Sequence, residues 1–149
     1  MSFATPDDLV SIFDGLFEWE ERYRFIIELG NELPLIAEED KTPENKLNGC
    51  QSNVWLKRVG SVPRGANTIE ERNSIEPGFD FVADSDSQIV KGLIAMVRLI
   101  YLHKTPREIL DFDIEGLFDR IQLTQHLTPN RSNGLRFLVN QIKTWAKQS

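Results

Sequence analysis

At 149 residues, the chain is long enough to bury about 70% of the surface its unfolded form exposes, so one compact domain is expected. A formal charge of −6 argues against the clustered Lys and Arg that a nucleic-acid backbone demands, and no window approaches the roughly 20 apolar residues of a membrane span. A single cysteine excludes an internal disulfide, and the first residues lack the basic and apolar regions of a leader, so a reducing, cytoplasmic location is expected.

Thr5-Pro6-Asp7-Asp8 joins an N-cap residue, a proline at the first helical position and an acid three residues after the cap. It predicts a helix through Val10, Ile12 and Phe13 that ends at Gly15. From Glu18 onward, Trp19, Tyr23, Ile26, Ile27 and Gly30 recur at helical spacing behind an acidic first turn, a second helix finishing near Leu33, before Pro34. Leu35 to Glu44 is acidic and aperiodic, and reads as a surface loop. Val54, Trp55, Leu56 and Val59 favour a strand, with Phe79 to Val82 as its returning partner and Leu47 as a candidate for a short preceding strand. Between the two strands, Gly60 to Gly78 reads as a long hairpin connection or a hairpin with an irregular extension.

Asp84-Ser85-Asp86-Ser87-Gln88 offers several caps for the next helix, and with Ser85 as cap Gln88 completes a capping box. Ile89 to Tyr101 is apolar nearly all round, which places this helix at the centre of the fold, and Gly92 allows a neighbour to approach closely. Thr105-Pro106-Arg107-Glu108 and Thr128-Pro129-Asn130-Arg131 open a short helix and the C-terminal one, and Asp113 caps a helix between them. The last helix carries Leu135, Leu138, Val139, Ile142 and Trp145 on one face. The three tryptophans, in apolar registers, are expected in the core. Central strands flanked by helices give the α+β class: a small three-stranded antiparallel sheet packed with helices in a single domain, 1–149.

Metal binding is poorly supported, because one cysteine and two histidines, His103 and His126, fall in no ligand spacing. The glycines match no phosphate-binding pattern. Cys50, between Gly49 and Gln51 and followed by Ser52, therefore reads as either a reactive thiol or a small buried hydrophobe. A cluster scaffold needs several thiolates and a disulfide oxidoreductase a resolving one, so neither role is open to a chain with one cysteine.

Residues Trp19-Glu20-Glu21-Arg22-Tyr23, Gly49-Cys50-Gln51-Ser52-Asn53-Val54-Trp55, Ile89-Val90-Lys91-Gly92-Leu93 and Leu123-Thr124-Gln125-His126-Leu127-Thr128-Pro129 resemble the SufE and CsdE sulfur acceptors in order and spacing. The Gly60 to Gly78 segment departs from the family's pattern in being longer than a tight hairpin. The resemblance implies a SufE/NifU-like two-layer fold. It also implies that Cys50 takes persulfide sulfur from a cysteine desulfurase of the SufS or CsdA kind, stimulates that enzyme, and delivers the sulfur to an iron–sulfur scaffold. No cofactor is expected in this chain, since pyridoxal phosphate would belong to the desulfurase, and neither nucleic acid nor membrane is an expected partner. Catalysis by the chain alone is not expected.

Around the thiol, Gly49, Gln51 and Ser52 are the expected supporting loop, shielding the sulfur at rest and presenting it when the desulfurase docks. Arg131, a cation at the positive end of a helix, calls for a partner elsewhere, either the thiol loop or a carboxylate that shapes it. His126 is a second candidate support, against a local helix-end hydrogen bond. Asp84 and Asp86 read as helix-start acids or as a docking patch for the partner. Two other readings remain: a non-covalent adaptor in which Cys50 carries nothing, and a one-cysteine enzyme that reacts with peroxide.

Overall fold

The computed structural model describes residues 6–47, 52–61, 78–102 and 104–148. Thr5, His103, the 62–77 connection and the segment holding Gly49, Cys50 and Gln51 lie outside the described residues.

Two helices lead. Helix α1 spans Pro6–Gly15 and buries Leu9 and Phe13. Helix α2 spans Trp19–Gly30, and it stops short of Leu33 because the chain tightens ahead of Pro34: Asn31, Glu32 and Leu33 each donate to the carbonyl three residues back. Arg22 ties the pair together. Its guanidinium donates to the carbonyls of Leu16 (2.8 Å), Phe13 (2.9 Å) and Ile121 (3.3 Å), satisfying chain ends that have no helical partner.

The acidic stretch after α2 is a surface segment with two single 3₁₀ turns, Glu38–Asp40 and Pro43–Asn45, although Ile36 within it is buried. Strands β1 (Val54–Ser61) and β2 (Gly78–Ser85) pair antiparallel without a bulge, from Val54 opposite Ser85 to Ser61 opposite Gly78. Gly60, Ser61 and Gly78 belong to the ladder, and the choice between a plain connection and an irregular extension falls on residues 62–77, outside the described residues. Among the described residues the sheet has two strands, not three. Lys46 makes a single antiparallel bridge to Trp55, and Leu35 a single parallel bridge to Ala83. Among the described residues, each outer edge of the sheet carries one such isolated bridge.

Helix α3 (Gln88–Tyr101) is capped by Ser87, whose hydroxyl accepts from the Val90 N–H at 3.4 Å. Ser85 is not the cap, because it still belongs to the ladder, opposite Val54. The centre of the fold is α3 as its apolar surface demands: Leu93, Ile94, Met96, Val97, Ile100 and Tyr101 are all buried, each large apolar side chain gaining about 1.5–3 kcal/mol over exposure. It packs against α2, β2 and the C-terminal helix. Arg98 near its end binds Asp80 of β2 through two parallel bonds of 2.7 and 3.0 Å.

Helices α4 (Pro106–Asp111), α5 (Ile114–Arg120) and α6 (Pro129–Lys147) start where their caps predict, on Thr105, Asp113 and Thr128. Leu135, Leu138, Val139, Ile142 and Ala146 form the buried face of α6. Trp19 and Trp145 pack against the core from its margin, and all three tryptophans, Trp55 included, are half-buried. No described helix is long and apolar enough to cross a membrane.

Candidate functional site

A cavity of about 300 Å³ opens where β1, α3 and the first turns of α6 meet. Its floor is apolar, from Val54, Leu93, Ile94, Leu135 and Leu138. Its rim is polar, with Ser52, Asn130 and Arg131. Leu47 and Ser52 are the described residues on either side of the segment 48–51, and both line this cavity. The chain that carries Cys50 therefore leaves and re-enters the described fold at the cavity wall.

Three local interactions shape that wall. The Leu47 N–H donates to the Val54 carbonyl at 2.8 Å, holding the incoming chain to β1. On the outgoing side, Asn53 is held by Asp86, whose Oδ1 accepts from the Asn53 backbone N–H at 3.2 Å and whose Oδ2 accepts from its side-chain amide at 2.9 Å. Across the cavity, the Thr128 hydroxyl caps α6 by accepting from the Arg131 N–H at 3.3 Å.

The predicted residues distribute unevenly around this centre. Ser52 and Arg131 face one cavity, while Gly49, Cys50 and Gln51 lie outside the described residues. Arg131 is exposed, and its guanidinium pairs with no carboxylate among the described residues. His126 is elsewhere: its ring stacks on Trp19 with centroids 3.8 Å apart, its Nδ1 lies 3.1 Å from the Gln122 carbonyl oxygen, and Tyr23 donates to its carbonyl. It fastens the α5–α6 connection to α2 and does not line the cavity.

Asp84 and Asp86 do not cap α3. Asp84 lies in β2, where Lys41 approaches Oδ2 at 2.8 Å, Lys91 approaches Oδ1 at 3.4 Å, and the Ser85 N–H donates to Oδ1 at 2.8 Å. Burial alone would push the Asp84 carboxyl up. The Lys41 hydrogen bond, the Ser85 N–H and the Lys91 charge outweigh it and hold the group below the usual carboxylate range. Lys41 and Asn53 were not marked by sequence. Lys41 is the lone cation closing the run Glu38-Glu39-Asp40, and that isolation is the signal that could have singled it out.

A second groove, of about 540 Å³ between α5 and α6, carries Glu115, Asp119 and Arg136 and shares Leu135 with the first. It touches neither end of the 48–51 segment. Among the described residues no three His, Cys, Asp or Glu side chains gather as a metal site.

Among solved structures, the chain is similar to the solution structure of a hypothetical protein from Thermus thermophilus, with a TM-score of 0.69 over 99% of this chain and 97% of that one. At 16% identity, that likeness shows a shared fold. The family model for SufE, the Fe-S metabolism associated domain, matches residues 7–146, nearly the whole of the architecture described above, and the chain belongs to that family.

Proposed function

We propose that this protein is a sulfur acceptor: Cys50 takes persulfide sulfur from a cysteine desulfurase, stimulates that enzyme, and passes the sulfur on for iron–sulfur cluster assembly. One observation carries the reading. The chain's only cysteine sits in a four-residue segment whose two ends, Leu47 and Ser52, line one apolar-floored cavity with Arg131 on its rim. Membership of a family associated with Fe–S metabolism supplies the chemical setting.

The transfer needs no redox co-reactant. The Cys50 thiolate attacks the outer sulfur of the desulfurase persulfide, a new S–S bond forms on Cys50, and the old one breaks with its electron pair leaving on the desulfurase thiolate. Pyridoxal chemistry stays with the desulfurase. The apolar floor of the cavity suits a site kept from water and stray thiols, and the Arg131 guanidinium at its rim offers a positive charge to an arriving or departing anionic sulfur.

Mass spectrometry after incubation with cysteine and a desulfurase tests the proposal. One added sulfur on the Cys50 peptide is the expected result, and an unmodified peptide under desulfurase turnover overturns it. Cys50→Ser separates the carrier from a non-covalent adaptor, since the carrier loses transfer while an adaptor keeps its full effect on the desulfurase.

A further inference from the structure

The groove between α5 and α6 carries opposite charges that do not meet. Glu115 and Asp119 stand four residues apart on α5, so both carboxylates edge the groove from one wall, and Arg136 edges it from α6. All three are exposed, and among the described residues none of them makes an ion pair or a side-chain hydrogen bond. The next residue along α5 behaves differently: Arg120 binds Asp14 of α1 through two bonds of 3.0 and 2.8 Å. Where the groove meets the core its lining is apolar, from the buried side chains of Phe118, Leu135 and Val139.

The α6 wall has the makings of a carboxylate seat. Ser132, Arg136 and Asn140 all line the groove and recur every four residues, which sets a hydroxyl and an amide about one turn to either side of the guanidinium. The three span about 12 Å of helix axis. A guanidinium presents a fork of donors that matches both oxygens of a carboxylate, and it is already charged at every ordinary pH. The α5 wall offers the converse, two carboxylates one turn apart to which an ammonium can donate. At about 540 Å³, with an apolar lining and a few polar groups at its edges, the groove has the size and make-up of a small-molecule site.

We propose that this groove binds a small zwitterion with an apolar body, namely an apolar α-amino acid or a short apolar peptide with free ends. Its carboxylate sits on Arg136, its ammonium faces Glu115 and Asp119, and its apolar side chain lies over Phe118, Leu135 and Val139. A ligand with one charge engages one wall only. The proposal does not depend on the acceptor reading, since neither Cys50 nor sulfur enters its test.

Nuclear magnetic resonance of the full chain, titrated with L-leucine or alanyl-leucine to about 50 mM, gives the test at concentrations suited to so small a ligand. Saturable amide shifts are expected at Phe118, Asp119, Leu135 and Val139. The same probes with the ammonium acetylated or the carboxylate amidated should each bind about tenfold more weakly, the scale of one charge-assisted contact. Arg136→Gln should bind the free probe no better than its amide, and Glu115→Gln combined with Asp119→Asn should bind it no better than its acetylated form. These side chains are exposed, so the variants are expected to keep the fold.

The two probes separate the two sources. Tighter binding of alanyl-leucine assigns the groove to peptides, tighter binding of leucine assigns it to free amino acids, and either result supports the proposal. Absence of saturable shifts with both probes overturns it. Equal affinities for the free, acetylated and amidated forms also overturn it, as do shifts confined to residues outside the groove.

Discussion

Gly92 lies directly against the main chain of Ile26: a Cβ added at Gly92 would fall far inside van der Waals contact with the Ile26 carbonyl oxygen, and one added at Gly30 would lie 2.9 Å from the Gly92 nitrogen. Helices α2 and α3 cross at these two glycines. Helix propensity alone predicts that Gly92→Ala gains about 1 kcal/mol. The crossing predicts the opposite, a loss of about 3 kcal/mol or more as two backbones are forced apart. Urea unfolding of the variant gives the sign, and a stabilised Gly92→Ala protein would show that the crossing is looser than described.

Asp86→Ala should free Asn53 without unfolding the protein. The corner is exposed, so water replaces much of what the carboxylate provides, and the expected cost is about 1 kcal/mol or less. The backbone N–H of Asn53 loses its acceptor, and its hydrogen exchange should quicken about tenfold while amides in α3 keep their protection. Unchanged exchange at Asn53 would mean that the carboxylate is not the anchor.

Arg131 separates function from stability. It is exposed and has no carboxylate partner among the described residues, so Arg131→Ala should change the unfolding free energy by no more than about 0.5 kcal/mol. Removing a cation from the first turn of α6 can even favour the helix. Sulfur uptake onto Cys50 should nonetheless fall about threefold or more, on the scale of a lost charge-assisted contact to anionic sulfur. An uptake rate equal to wild type would remove Arg131 from the site.

The Lys41–Asp84 pair sets a pH window. Asp84 is held below its ordinary value of 3.8, so its contribution to stability is present above that pH and is lost as the pH falls through the lower folded value. Lys41 is held above its ordinary 10.5 by its hydrogen bonds to Asp84 and Glu38, so its contribution is complete below that pH and is lost as the pH rises through the folded value. The stability difference between wild type and Asp84→Asn should therefore be flat across neutral pH and shrink at both extremes. A difference that grows on acidification would contradict the pairing.

Local chemistry was the most legible part of this sequence. The caps at Thr105, Asp113 and Thr128 are each decided by side chains within three residues of a helix start, and all three helices begin there. The all-round apolar run from Ile89 placed α3 at the centre for a similar reason, since only a surrounded helix hides such a surface. What the sequence obscured is non-local. Ser85 has the chemistry of a cap, but its pairing with Val54, 31 residues back, keeps it in the strand. Leu47 has the composition of a third strand, yet among the described residues this segment meets β1 in an isolated bridge and the Leu47 N–H bond to Val54.

The site shows the same division. Ser52 and Arg131, far apart in sequence, do face one cavity. His126 sits in the same motif block as Thr128 but is committed to the Trp19 ring. Asp84 and Asp86 read as helix-start acids or as a docking patch, with Lys91 the nearby cation. Their cation and amide partners, Lys41 and Asn53, come from the far side of the sheet connection.

The unbroken pairing of β1 with β2 insulates one end of the hairpin from the other. Eight consecutive pairs lie between the 62–77 connection and the Val54–Ser85 end, where Ser52 meets the cavity. With no bulge to pass a shift along, residues gained or lost in the connection change the tip and leave the register at Val54 intact. A length change inside β1 has the opposite effect, turning Val54 and Leu56 out of the core and Trp55 into it. The ladder therefore separates a change of length in the connection from the strand register at the cysteine-bearing end.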